Sequence, residues 1–168
     1  MLSNTGNFLL ILSILFTSFI IYQSFVCLKK TNDMIFKSIY KISLLQSTTI
    51  LICFFTLVGA FMVSDFSLIN VYQNSHTLKP IFYKISGTWG HHEGSLLLWV
   101  IILTIFSFLF LITNKNHPKN YRINTLIIQN ILILGFLFFI LFNSNPFSSI
   151  SPIPKEGLGL NPILQDPC

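Results

Sequence analysis

Residues 96–113 read LLLWVIILTIFSFLFLIT, an apolar run without a charged side chain. At a rise of 1.5 Å per residue, a helix of roughly 20 such residues crosses the ~30 Å hydrocarbon core of a bilayer. The run follows the polar block WGHHEGS at residues 89–95. The sequence therefore predicts a membrane-spanning helix whose start carries histidine and carboxylate groups at the membrane surface.

Three further apolar segments resemble this one in length and lack Lys, Arg, Asp, Glu and His. They lie at about residues 8–28, 42–63 and 123–142. Only helices and closed barrels span lipid, and barrel strands alternate in polarity over about 10 residues. These segments are longer and apolar on all sides. The chain is therefore predicted to be an all-α integral membrane protein with four transmembrane helices.

The composition agrees with the membrane class. Hydrophobic residues make up 52% of the chain and charged residues 9%, and the mean hydropathy is +0.72. Soluble domains carry roughly 25% charged residues. The first segment is interpreted as a retained helix rather than a cleaved signal peptide, because residues 1–7 contain no Lys or Arg and Lys29 and Lys30 follow the apolar run.

The basic residues collect on alternate connections between the segments. Seven of them lie in the first and third connections, which are Lys29, Lys30, Lys37, Lys41, Lys115, Lys119 and Arg122. The positive-inside rule places these two connections inside, so the N-terminus, the second connection and the C-terminal tail are predicted outside. The net charge of +5 is explained by topology and anionic lipid. No nucleic-acid partner is expected.

The expected organisation is one four-helix membrane domain at 1–142 and an outer tail at 143–168 that is rich in Pro and Gly. An ordered outer loop at 64–94 separates the second and third membrane helices. Pro80 is expected in the first turn of a short helix, with Ile81, Phe82 and Ile85 on one face and Lys84 pointing away. That helix is predicted to lie on the membrane. The alternative is an ordered loop without membrane contact.

The three cysteines have no metal-binding spacing. Cys27 and Cys53 lie in apolar segments and Cys168 is the last residue. They are interpreted as small apolar packing residues with a chance terminal thiol.

The polar block offers chemistry at the start of the third membrane helix. Ser95 is expected to cap the third membrane helix with its hydroxyl. The N-terminus of that helix favours an anion such as a haem propionate. Glycines at 87, 90 and 94 are expected to allow close backbone approach and positive φ. Trp89 and Trp99 offer flat faces for stacking on a porphyrin or a quinone.

Several explicit chemistries are excluded by the spacing. Adjacent histidines rarely share a metal, a helical zinc site needs His at i and i+4, and no nucleophile motif is present. No catalytic or metal-binding residue is therefore predicted. Three interpretations of the block stay open, namely an anchor at the headgroups, a surface shared with a substrate, and axial ligation of haem. The candidate cofactor-binding residues are Trp89, His92, Glu93 and Trp99.

Several ordered blocks resemble one known family. They are DFS at 65–67, VYxNS at 71–75, LxPIFYKISGTWG at 78–90, HEGS at 92–95, NPF at 145–147 and GLNPxLQDP at 159–167. In this order and spacing they resemble the cytochrome c haem lyase family, usually called CcmF. His91 stands at a position that varies in that family.

The resemblance implies a membrane component of cytochrome c maturation. Such a component takes haem from a haem chaperone and attaches it to the Cys-x-x-Cys-His motif of apocytochrome c. The chain stops before the family's next helix and its tryptophan-rich segment, where the usual haem-ligating histidines lie. None of these maps onto His76, His91, His92 or His117. The resemblance therefore predicts an N-terminal fragment of a split haem lyase, which is not catalytic alone and binds haem weakly or not at all without its partner chains.

The expected location is the mitochondrial inner membrane, where split genes of this kind occur, and the alternative is a bacterial plasma membrane. A competing function is a structural membrane subunit of a respiratory complex. A small quinone- or ion-handling subunit is disfavoured, because ionisable residues, which normally mark ion paths, are absent from the apolar segments.

Overall fold

The structure is a computed structural model that describes residues 2–29 and 33–159. Six helices occur in these ranges. They are α1 (Leu2–Lys29), α2 (Asp33–Met62), α3 (Ile69–Asn74), α4 (Ile81–Gly87), α5 (His92–Thr113) and α6 (Lys119–Asn143). Lys30, Cys168 and all but the first residue of the GLNPxLQDP block lie outside the described residues.

Four of the helices are long and apolar enough to span a membrane, namely α1, α2, α5 and α6. The prediction of an all-α membrane protein with four spanning helices is confirmed. The helices extend beyond the apolar segments, however. The polar stretch from Lys37 to Lys41, expected in the first connection, forms early turns of α2. Lysine is a good helix former whose long side chain reaches the headgroups while its stem stays apolar.

The four long helices form a ring in chain order. α1 packs against α2 and α6, and α5 packs against the same two helices from the opposite corner. Short connections make α2 run opposite to α1 and α6 opposite to α5. The start of α5 lies beside the last turns of α2, where Phe61 contacts His91 and Phe54 contacts Trp89. The start of α1, residues 63–91 and residues 144–159 therefore lie at one end of the bundle. The other end holds residues 114–118 and the adjacent ends of α1 and α2.

The buried face of α1 is made largely of small residues. It consists of Gly6, Leu10, Ser13, Thr17, Ile20, Ser24 and Cys27. Their spacing of four and three residues alternates along the whole helix and keeps them on one face. Small side chains let helix backbones approach closely. In lipid, where the hydrophobic effect does not drive helices together, this close packing stabilises their association.

Two apolar clusters fill the bundle. The larger one lies toward the end with the N-terminus and includes Leu57, Phe61 and Phe147, and the smaller one includes Ile39 and Leu126. Cys53 belongs to the first and Cys27 to the second, both as free thiols, as the interpretation of packing cysteines requires. Large apolar side chains on the outer faces are exposed to the lipid, such as Phe8, Leu15, Phe55, Phe106 and Phe142.

A polar junction joins three helices at the middle of the bundle. The fully buried Asn130 of α6 and the buried Gln46 of α2 face Thr17 of α1. Gln46 donates to the Thr17 hydroxyl at 2.7 Å and to the Asn130 side-chain oxygen at 3.2 Å. Asn130 in turn donates to the carbonyl of Leu126. In a medium without water these bonds fix how the three helices are placed against one another.

Candidate functional site

Residues 63–91 and 144–159 form one layer across the end of the bundle, which we call the end layer. Two backbone bonds pair its halves around an isolated bridge between Leu68 and Ser149, from Ile69 N to Ser148 O and from Ile150 N to Ser67 O, both 2.9 Å. Further along, Leu158 N donates to Tyr72 O at 2.8 Å. The tail residues are thus held against the loop between α2 and α5.

Phe147 fixes the end layer to the start of α1. Its side chain is fully buried, and a Cβ added to Gly6 would lie 2.2 Å from its ring. The Ser3 hydroxyl donates to the Phe147 carbonyl at 2.7 Å, and Asn145 donates to the Asn7 side chain at 2.8 Å. Only a residue without a side chain at position 6 leaves room for this ring.

A short helix, α4, forms where the sequence predicts one, but Pro80 is its N-cap rather than a residue of its first turn, and the faces of the helix differ from the expectation. Ile81, Phe82 and Tyr83 are exposed, whereas Ile85 packs on the core. Lys84 does not point away from the protein, because it is 9% exposed and its ammonium donates to the Ser64 hydroxyl at 2.6 Å. The sequence pattern missed this bond, since the acceptor lies in the turn that ends α2.

The turn into α5 is built around Gly94. A Cβ at this position would lie 1.6 Å from the carbonyl oxygen of Thr88, so the backbone itself occupies the space. Gly94 therefore meets the expectation of close backbone approach. Gly87 and Gly90 make ordinary contacts, and none of the three has positive φ. The expectation of positive φ at these glycines was wrong.

Ser95 stabilises the same turn in a different way from the one predicted. α5 begins at His92 with His91 as its N-cap, so Ser95 already lies inside the first turn. Its hydroxyl donates to the carbonyl of His91 at 2.5 Å and to that of Trp89 at 2.8 Å. The prediction that it accepts from a free N–H was wrong, because the helix starts four residues earlier than the apolar run.

Trp89 and His91 lie on the α2 side of α5. The Trp89 ring stacks on Phe54 with centroids 6.5 Å apart and planes at 23°, and 41% of the residue is exposed. The His91 ring stacks on Phe61 at 6.3 Å and 15°. Burial lowers the pKa of His91, the Glu93 carboxylate raises it and Lys79 lowers it. The imidazole therefore favours its neutral form.

His92 and Trp99 lie on the α6 side of α5. His92 Nδ1 and the Ser144 hydroxyl are 2.8 Å apart, and the ring meets Phe139 edge-on at 6.2 Å. Trp99 is seven residues later on the same helix face and is 60% exposed. The four candidate residues are therefore not all brought together, since α5 separates Trp89 from His92 and Trp99.

Glu93 lies in the first turn of α5, between the two flanks. It is half-buried, and its carboxylate makes no hydrogen bond or ion pair with any residue that the structure describes. A carboxylate near a helix N-terminus is favourably placed relative to the helix dipole. It is thus a charge available to another molecule.

The other histidines do not join this cluster. His76 is near Glu156 at 3.8 Å and accepts from Leu78 N, while His117 lies at the opposite end of the bundle against Tyr121. Within residues 2–29 and 33–159 no three metal-ligating side chains come together. His91 and His92 lie on opposite sides of α5, so these two neighbouring histidines do not form an axial pair.

Comparison with known sequences identifies the relatives of this chain. The family model described as Cytochrome C assembly protein matches residues 89–168, which include all four candidate residues. CycK of Rhizobium meliloti is 45% identical over 129 residues, which cover 73% of this chain and 19% of CycK. CcmF of Escherichia coli is 47% identical over 115 residues, which cover 68% of this chain and 18% of CcmF.

A third relative, CycK of Bradyrhizobium diazoefficiens, aligns with nearly the whole chain. It is 40% identical over 169 residues, which cover 99% of this chain and 25% of the relative. The chain belongs to the CcmF family of cytochrome c-type biogenesis proteins. It spans a quarter or less of the length of these curated relatives.

The fold is also that of a solved family structure. The cytochrome c haem lyase CcmF superposes with a TM-score of 0.81 at 20% sequence identity, covering 90% of this chain and 26% of the solved one. At this identity the likeness shows the fold alone. The superposed part is about a quarter of the solved chain.

Proposed function

We propose that the chain is part of the membrane machinery that attaches haem to apocytochrome c during cytochrome c maturation. One observation carries the proposal, namely the 40% to 47% identity to relatives named as cytochrome c-type biogenesis proteins. The chain corresponds to a limited part of those relatives. Its proposed contribution is that of this section of a haem lyase, and the remaining haem-lyase chains are its proposed partners.

The working surface of this section is the end layer with the start of α5. Glu93 supplies an unpaired carboxylate, and Trp89 and Trp99 supply exposed aromatic faces on its two flanks. Aromatic faces pack well against a planar porphyrin edge or against apolar side chains of a partner. His92, held by Ser144, fixes the position of α5 against residue 144 and α6. Together these four residues form a surface that can contact haem, which is the substrate in this proposal, or a partner chain.

Haem is the substrate in this proposal, and the described residues fit contact with it better than axial ligation. The described histidines do not form a pair, since the His91 ring is stacked inside the layer on Phe61 and His92 lies on the other side of α5. We expect the purified chain to bind haem weakly or not at all. A stoichiometric Soret band that is lost in His92→Ala would contradict this part of the proposal and make His92 a ligand.

The end layer faces the outside in our proposal. The opposite end carries the basic residues of the first and third connections, and the positive-inside rule assigns that end to the cytoplasm or the mitochondrial matrix. We propose the mitochondrial inner membrane as the location. The bacterial plasma membrane is the alternative, which the bacterial source of the relatives favours.

The proposed partners are the remaining haem-lyase chains, a haem chaperone and apocytochrome c. Purification of the tagged chain from its own membrane in mild detergent tests this assignment. Recovery of chains that carry the rest of the family's sequence supports the proposal. Recovery of an oxidase or dehydrogenase complex instead would assign the chain to a structural role in respiration and contradict it.

A further inference from the structure

A basic cavity lies at the end of the bundle opposite the end layer. Its volume is about 570 Å³. It is lined by Phe36, Lys37, Tyr40, Lys41, Leu111, Lys115 and Arg122, which come from α2, the end of α5, the following turn and the start of α6. Four cations thus surround a space whose wall is made of two aromatic rings and a leucine.

The positive charge around this cavity exceeds the nearby negative charge in the described part of the chain, where Asp33 also attracts Lys37 electrostatically. Asp33 is the one described acidic residue at this end of the bundle, and it forms an ion pair with Lys119, which does not line the cavity. No described carboxylate forms an ion pair with Lys37, Lys41 or Lys115. Excess positive charge around a cavity favours an anionic ligand.

Arg122 is the fixed element of the cavity. It is 7% exposed, its guanidinium lies 4.8 Å from the centre of the Phe36 ring, and one NH2 group donates to the Leu111 carbonyl. Its Nε is buried without a hydrogen-bond partner in the protein. A buried donor without a partner is costly, and a guanidinium matches the geometry of phosphate oxygens. The unpaired Nε therefore points to a ligand with acceptor oxygens.

The depth and the wall of the cavity indicate what carries that anion. Lys41 is the last charged residue of α2 before an uncharged run, and Arg122 is in the first turn of α6. These positions lie where a spanning helix passes from headgroups to hydrocarbon. One turn beyond Tyr40, Leu44 is 44% exposed on the outside of the bundle. An acyl chain attached to the anion has an apolar path along α2.

We propose that this cavity binds the headgroup phosphate of an anionic phospholipid, with its acyl chains lying along the outer face of α2. The lysines supply attraction, Arg122 supplies directed donors, and Phe36 and Tyr40 pack against the glycerol region. Basic pockets between spanning helices are suited to such lipids. This inference does not depend on the proposed role in cytochrome c maturation.

Lipid titration of the purified chain in neutral detergent tests the proposal, with bound lipid counted by native mass spectrometry. We expect one phosphatidylglycerol to bind more tightly than phosphatidylcholine with the same acyl chains. The double variant Lys41→Gln/Lys115→Gln should weaken phosphatidylglycerol binding by about tenfold or more. The control Lys29→Gln/Lys155→Gln removes the same charge outside the cavity and should change binding less than about twofold.

Three results would overturn the proposal. Equal weakening in both double variants would show diffuse attraction to a basic surface, and equal binding of the two lipids would show no headgroup recognition. If inorganic phosphate displaced phosphatidylglycerol and bound with the same millimolar affinity as the lipid, the cavity would be a site for free phosphate rather than for a lipid. Arg122→Lys keeps the charge but loses the planar donors, and we expect weaker binding with an unchanged helix content. If that variant does not fold, the lysine variants still decide the question.

Discussion

Gly94 and Thr88 make a backbone contact that leaves no room for a side chain at position 94. A Cβ there would lie 1.6 Å from the Thr88 carbonyl oxygen and 2.8 Å from its carbonyl carbon. The contact joins the end of α4 to the first turn of α5, and it therefore sets the position of Trp89, His92 and Glu93. The proposed working surface depends on this glycine.

Gly94→Ala should destabilise the protein, because backbone atoms rather than a flexible side chain fill the space. Overpacking of this kind costs about 1–3 kcal/mol. The measurement is the thermal midpoint in detergent. Gly135→Ala is the matched control, since nothing lies within 4 Å of its Cβ position in the α6 helix, and it should leave the midpoint unchanged or slightly raised. Equal midpoints for the two variants would contradict the packing described for the turn.

Gln46→Leu should loosen the polar junction between α1, α2 and α6. It removes the donor for Thr17 and Asn130 and leaves Asn130 with an unpaired oxygen in the bundle. Interhelical hydrogen bonds in membranes contribute about 0.6–2 kcal/mol. Reversible unfolding in mixed micelles measures the loss. Thr48→Val, on the exposed side of α2, is the control, and an effect as large as that of Gln46→Leu would argue against a specific junction.

Stability should fall with pH below about 6.5 partly because of His91. Burial lowers the pKa of His91 in the folded chain, so the unfolded chain takes up the proton first as the pH falls. The contribution is fully present above the unfolded pKa and is lost as the pH falls through the folded one. His91→Asn should flatten the pH dependence of the thermal midpoint between pH 7 and 5 relative to the parent. Parallel curves would show that His91 is not the group responsible.

Labelling of single cysteines should show the two ends of the bundle on opposite sides of the membrane. The native Cys27 and Cys53 are buried, so a Cys168→Ser background is expected to label weakly. In that background Lys155→Cys should react with an impermeant maleimide from outside, and Lys115→Cys should react only after permeabilisation. Both lysines are exposed, which makes them suitable positions. Labelling of both from the same side would contradict the four-helix topology.

Much of the fold follows from the sequence because apolar length alone decides a spanning helix. The segments 8–28, 96–113 and 123–142 lie inside observed helices, and the segment 42–63 runs one residue past the end of α2. The true ends could not be predicted from hydropathy, because α2 extends into lysines that reach the headgroups and α5 begins at His92. The small-residue face of α1 was a readable signal, since Gly6, Ser13, Thr17 and Ser24 recur at helical spacing within an apolar run.

The candidate site was less accessible to sequence reasoning. His91 and His92 lie on different flanks because His91 is the extended N-cap residue and His92 is the first residue of α5, a boundary that the sequence pattern misplaced. The bonds of His92 to Ser144 and of Lys84 to Ser64 join residues 52 and 20 positions apart. Nothing in the local pattern specifies such pairs. The motif blocks pointed to the right family without giving these contacts.

Covalent haem on cytochrome c, measured by haem staining alongside the abundance of this chain in the membrane, tests the central claim most directly. We predict that Glu93→Gln and Trp89→Ala lower stained cytochrome c by about fivefold at unchanged abundance, a factor that corresponds to about 1 kcal/mol. The variant His91→Asn keeps a good N-cap residue, so the amount of stained cytochrome c should be the same as with the parent chain. If maturation instead falls only in proportion to abundance, the start of α5 is a structural anchor and the proposed working surface is wrong.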